Sequence, residues 1–194
     1  MEQTVYITEN CLVELVASCL EIPHKEVGGF LIGKEEKRFI KGERTDCLTL
    51  DIAYQIRTCK SGKSFWQPEN VRAYNRIIDT IKSMNFNIVG EYHSHIHNVA
   101  ELSDEDKKFI KQEVEDFSKN GEKVTNWMEM VLNIETKTYT RKQAQAFTCN
   151  YFRKKVRCNI RGMRDPLVGY SITIGIYWFN PETATFEEAS VRGP

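Results

Sequence analysis

The sequence predicts an α/β fold, a mixed β-sheet flanked by helices. Three observations predict it. Apolar residues recur at helical spacing over residues 10–21, 68–84 and 103–118. Short apolar runs stand between these segments, at 4–7, 26–33, 87–93 and 127–134, and a late alternating run spans 170–179. Helix and strand patterns therefore interleave, as they do in α/β chains.

Thr4-Val5-Tyr6-Ile7 is a short strand. The first helix runs from about Asn10 to Glu21. Leu12, Leu15, Val16, Cys19 and Leu20 fall on one stripe, and Pro23 ends it. Glu26-Val27-Gly28-Gly29-Phe30-Leu31-Ile32-Gly33 has the length and apolar content of a buried strand. One or two further strands are expected between Lys37 and Ile56, then a polar loop from Cys59 to Gln67 that carries Phe65 and Trp66. Pro68 is compatible with the first turn of a second helix, ending near Met84, with Val71, Tyr74, Ile78 and Ile81 on one face. Asn87 to His93 is a strand. A loop from Ile96 to Leu102 leads to a third helix, Ser103 to Ser118, with Phe109, Ile110, Val114 and Phe117 as its stripe. Trp127 to Ile134 and Tyr170 to Phe179 are strands, the second with Tyr170, Ile172, Ile174, Ile176 and Trp178 on one face.

A chain of 194 residues can bury one core, so residues 1–194 are expected to form a single domain. The formal net charge is zero, which removes overall charge as a reason to expect nucleic acid or a membrane. No stretch approaches the roughly 18 apolar residues of a membrane span. Met1 to Tyr6 lacks the basic and apolar parts of a secretory signal, and the expected compartment is the cytoplasm. Cys11, Cys19, Cys47, Cys59, Cys149 and Cys158 form no Cys-x-x-Cys pair, so reduced thiols are expected.

The chemistry-bearing segment is Gly90-Glu91-Tyr92-His93-Ser94-His95, followed after seven residues by Ser103-Asp104-Glu105-Asp106. Two residues apart on a strand, His93 and His95 share a face and can converge on one metal ion. Asp106 falls in a helix's first turn, where the dipole favours a carboxylate. Two imidazoles and one carboxylate leave a fourth position open, the arrangement of catalytic zinc. Ser103 and Asp106 also make a capping box on their own, and that role is compatible with metal binding.

The joint spacing resembles the JAMM motif of the MPN-plus (JAB) metallopeptidases, of the prokaryotic JAB type. In that motif His-Ser/Thr-His is followed by Ser-x-x-Asp, with a glutamate on an upstream strand before small and apolar residues. Here the glutamate is Glu26, before Val27-Gly28-Gly29-Phe30. The resemblance covers roughly residues 1–135. It departs at Ile96 and Leu102, where proline is common in the family. It implies a cytidine-deaminase-like JAB/MPN architecture and a Zn2+ cofactor on His93, His95 and Asp106. It also implies Glu26 as general base and proton donor to the leaving amine, and Ser103 as an oxyanion donor. The implied substrate is an amide at the C-terminal tail of a ubiquitin-like or sulfur-carrier-like protein, or its conjugate. Such an extended tail can add as a strand beside the active-site sheet edge.

Other motifs fail. His-Glu-x-x-His and Gly-x-Ser-x-Gly are absent, and so is the zinc-deaminase combination of His-x-Glu with Pro-Cys-x-x-Cys, since no Pro-Cys occurs. Gly62-Lys63-Ser64 lacks the first glycine of a P-loop. His97 reads as a loop histidine beside the motif, and no role follows for His24. From Lys137 to Arg164 there are nine Lys/Arg and no Asp/Glu. This basic elaboration around 137–164 reads as a solvated insertion or hairpin. The alternative function is a non-catalytic MPN-type scaffold or interaction module docking through it; a nucleic-acid role is the weakest reading.

Overall fold

A computed structural model describes residues 3–57, 59–61, 66–96, 99–119, 127–162 and 164–194. The elements in order are β1 (Thr4–Ile7), α1 (Glu9–Glu21), β2 (Gly28–Ile40), β3 (Glu43–Gln55), β4 (Cys59–Ser61), β5 (Trp66–Pro68), α2 (Val71–Ser83) and β6 (Ile88–Ile96). There follow α3 (Asp104–Lys119), β7 (Trp127–Thr138), β8 (Ala146–Tyr151), β9 (Lys155–Arg161), β10 (Val168–Asn180), β11 (Thr185–Glu188) and β12 (Ser190–Arg192). The main sheet has ten strands in the order β12-β1-β3-β2-β6-β7-β10-β9-β8, with β11 paired to β10. β1 runs parallel to β12 and β3, and β6 parallel to β7; the other pairs are antiparallel. The sheet is mixed and carries helices on both faces.

α1 begins at Thr8, whose side chain accepts from the Cys11 N–H. Its buried stripe of Cys11, Leu12, Leu15, Val16 and Cys19 packs on one sheet face, over Leu31, Met128, Met130, Leu132, Ile172 and Ile174. The opposite face is shared. α2 covers Phe30 and Ile32 with Ile78 and Ile81. α3 covers Trp127, Val131, Tyr177 and Phe179 with Ile110 and Val114.

Several expectations are corrected. Pro68 lies in β5, and Asn70 caps α2 by accepting from the Ala73 N–H. A side-chain acceptor at the cap outweighs proline's preference for the first turn. Val71 and Phe109 are exposed, because the faces that touch the sheet are set by Ile78–Ile81 and Ile110–Val114. The side chain of Phe117 lies outside the described residues. β2 runs past Gly33 as an exposed ribbon, turning into β3 at Lys41 and Gly42, both with positive φ. Two such residues are what a tight hairpin turn requires.

Residues 146–161 form the hairpin β8–β9, which joins the sheet through β10. Val156, Cys158 and Ile160 belong to the main core, so the basic segment is surface on one side only. Cys149 and Cys158 face each other across that hairpin and are disulfide-bonded, which corrects the reduced-thiol expectation for this pair. Cys11, Cys19 and Cys47 are free and buried. No described helix is long and apolar enough to cross a membrane.

Candidate metal centre

β6 is paired on both sides, with β2 and with β7, and it presents His93 and His95 to the face shared by α2 and α3. α3 reaches that face with Asp106. Its first turn is locked by a reciprocal capping box. The Asp106 N–H donates to Ser103 Oγ at 3.1 Å, and the Ser103 N–H donates to Asp106 Oδ2 at 2.7 Å. The Ser103 hydroxyl also donates to Asp106 Oδ2, at 2.7 Å. In this geometry Ser103 orients the carboxylate. The connection from β6 is pressed onto the sheet. Ala100 is buried, its carbonyl accepts from the Tyr177 hydroxyl, and a Cβ on Gly175 would collide with it. Leu102, standing where the related motif often has proline, anchors the loop in the α3 core.

His93, His95 and Asp106 each offer a ligand atom within 4.8 Å of the others. The Nε2 atoms of the two histidines are 3.1 Å apart. Asp106 Oδ1 lies 3.5 Å from His93 Nε2, and Oδ2 lies 3.4 Å from His95 Nε2. Donors held at about 2.0–2.1 Å in a tetrahedron stand roughly 3.3 Å apart. The imidazole nitrogens stand near that spacing from each other, each also lies near it from one oxygen of Asp106, and the donor set fits the ion. Each Nδ1 is already taken. His93 Nδ1 lies 2.8 Å from Glu129 Oε1, and His95 Nδ1 lies 3.1 Å from the Val99 carbonyl. A carbonyl only accepts, so the neutral His95 ring carries its proton on Nδ1 and leaves Nε2 bare.

Burial works against charge on both His93 and Asp106, and their mutual attraction overrides it. Asp106, facing His93 and His95 and hydrogen-bonded by Ser103, is held far below the carboxylate range. Asp106 and Glu129 push the His93 pKa up to about 10.

Glu26 is buried, two residues before β2. Gly28 pairs with His93, and continuing that antiparallel register places Glu26 across from His95 on the same face. Burial pushes the Glu26 carboxyl up, His93 and His95 offset part of the rise, and Asp106 adds to it. The structure thus brings Glu26 into the electrostatic reach of all three candidate ligands. His24 is exposed in the α1–β2 connection. His97 and Phe65, and the side chain of Trp66, lie outside the described residues.

Sequence reasoning missed the acids behind His93. Glu91 on β6 and Glu129 on β7 are adjacent in register and buried. The Tyr74 hydroxyl of α2 donates to Glu91 and lies 3.1 Å from Glu113 Oε1 of α3. Burial and the neighbouring carboxylates push Glu91 well up, and Glu113 up to about 7. The available signal was an acid inside an apolar strand, as in Trp127-Met128-Glu129-Met130-Val131.

Prokaryotic homologs of the JAB domain match residues 8–148. No curated protein matches the chain. In structure the chain is similar to protein DSY2949 from Desulfitobacterium hafniense, solved in solution, with a TM-score of 0.55 at 12% identity. That superposition covers 98% of this chain and 92% of the other, and it supports the fold. The family match spans most of the chain, including Glu26, both histidines, Ser103 and Asp106: the chain belongs to the family of prokaryotic JAB-domain proteins.

Proposed function

We propose that the chain is a zinc-dependent metallopeptidase or isopeptidase. It acts on amide bonds at the C-terminal tail of a ubiquitin-like or sulfur-carrier-like protein, in the cytoplasm. One observation carries this reading: His93, His95 and Asp106 each turn a ligand atom to one point, within 4.8 Å of one another, with both histidine Nδ1 atoms already hydrogen-bonded elsewhere. Zinc, when bound, supplies a Lewis acid that polarises a carbonyl and makes water nucleophilic near neutral pH.

The chain's own residues divide the remaining work. His93, His95 and Asp106 hold the ion. Glu26, with its raised pKa, takes the proton of the attacking water and delivers it to the leaving amine. The Ser103 hydroxyl holds Asp106 in place, and it can serve the oxyanion only by leaving that carboxylate. β6 and the site end of β2 have both edges hydrogen-bonded, which leaves the sheet face as the open approach to the metal. In this reading the tail reaches the metal across the sheet face. The test is zinc per chain by elemental analysis, with cleavage of a ubiquitin-like fusion before and after chelation. About one zinc and chelator-sensitive cleavage support the reading. A chain that binds no zinc points to the scaffold alternative.

A further inference from the structure

We propose that Glu129 is a positioning residue: it accepts the Nδ1–H of His93 and so fixes that ring with Nε2 turned to the metal. The inference rests on the zinc reading of the site and adds a residue to it.

Four observations carry it. The contact is short, 2.8 Å, and Glu129 is nearly buried, with 5% of its side chain exposed. A carboxylate flanked by Met128 and Met130 on an apolar strand is costly unless a charged or strongly polar group answers it. Glu129 is not in the facing register position. That place opposite His93 belongs to Val131, so Glu129 reaches diagonally across the parallel β6–β7 pair. Finally, the nearby acids have another partner: the Tyr74 hydroxyl bonds Glu91 and Glu113, which leaves Glu129 turned to the histidine.

The consequence is an asymmetry between the two histidines. His95 is held by a backbone carbonyl, which sets orientation alone. His93 is held by a carboxylate, which also makes its ring a better electron donor to a metal. A residue of this kind typically accounts for a 10–100-fold difference in metal affinity.

The experiment compares wild type, Glu129→Gln and Glu129→Ala, with Glu135→Gln on the exposed end of β7 as control. Zinc affinity is measured by chelator competition. The His93 Nδ1–H resonance is recorded by NMR in metal-free and zinc-loaded protein. Wild type is expected to show a downfield, slowly exchanging Nδ1–H in both states. Glu129→Ala should lose that signal and bind zinc up to about 100-fold more weakly. Glu129→Gln, nearly isosteric and still an acceptor, should keep the signal, shift it upfield and lose about tenfold in affinity. Glu129→Ala binding within twofold of wild type, or keeping the signal, overturns the proposal. If the alanine variant does not fold, wild-type affinity in Glu129→Gln overturns it. The metal-free signal is independent of zinc and of cleavage. Failure of the peptidase reading, seen as wild type that binds zinc but cleaves nothing, is therefore distinguishable from failure of this inference.

Discussion

The Ser94 hydroxyl accepts a hydrogen bond from the Val27 N–H at 2.9 Å, and the Ser94 N–H donates to the Val27 carbonyl at 2.8 Å. This double contact ties the backbone beside Glu26 to the residue between the two histidines. It carries the β2–β6 pairing past the end of the strand and sets the distance from the candidate base to the candidate ligands. Ser94→Ala should leave the Val27 N–H buried without its partner and cost about 1–3 kcal/mol. Turnover should fall more than zinc content, because Glu26 moves and the ligands stay. Ser94→Thr keeps the hydroxyl and should restore both. Melting temperature, zinc per chain and cleavage rate check this; an alanine variant that melts and cleaves like wild type removes Ser94 from the account.

Glu26→Gln should separate chemistry from metal binding. The amide keeps the shape but cannot accept a proton. Zinc content should stay near wild type while cleavage drops about 10²–10⁴-fold, the usual worth of general acid–base catalysis. Cleavage at the wild-type rate would show that another group moves the proton.

His95→Ala should lose zinc and activity together, since a three-ligand site cannot spare an imidazole. Asp106→Asn should do nearly as much damage, because it removes the charged ligand and alters the capping box. Elemental analysis is the readout, and near-stoichiometric zinc in either variant contradicts the ligand assignment.

Ser103→Ala removes the hydroxyl that caps α3 and orients Asp106. It should cost about 1 kcal/mol of stability and weaken zinc binding. If its oxyanion role is also real, cleavage by the zinc-loaded variant should fall by about 10²-fold or more. A lower melting temperature with normal zinc-loaded turnover assigns Ser103 to capping alone.

Glu113 gives a pH prediction. Its folded pKa is held up to about 7, mainly by burial and then by the Glu129 charge, against about 4.3 for an unperturbed glutamate. Between those values the unfolded chain has lost the proton that the folded chain keeps. The stability contributed by the protonated form is therefore complete below about pH 4.3 and is lost as pH rises towards 7. Glu113→Gln cannot ionise and should flatten the decline in melting temperature over that window. Parallel slopes for the two proteins would show that Glu113 titrates normally.

The helices and central strands were legible because they follow simple periodicities. Leu12, Leu15, Val16 and Cys19 repeat as a helix must, and the run from Asn87 to His93 has a strand's length. His93, His95, Ser103 and Asp106 were legible as a candidate set because their spacing is local. What stayed hidden depends on pairing between distant residues. Glu129 meets His93 only through the β6–β7 register, and Val27 meets Ser94 only through β2–β6. The β8–β9 hairpin was obscured for another reason. Arg157 and Arg161 alternate with Val156, Cys158 and Ile160, so counting cations hid a half-buried strand. Phe109 misled because an exposed aromatic sits one residue from the buried Ile110.

The pairing of β1 with β12 governs how this chain is made. Val5 and Val191 are fully buried and side by side, yet they are separated by almost the whole sequence. During synthesis, β1 has no neighbour on that side until Val191 has left the ribosome. Contacts this far apart close slowly, and until they close an apolar strand edge is exposed to other nascent chains. The protein's vulnerability to misassembly is thus concentrated in the interval when β1 waits for β12.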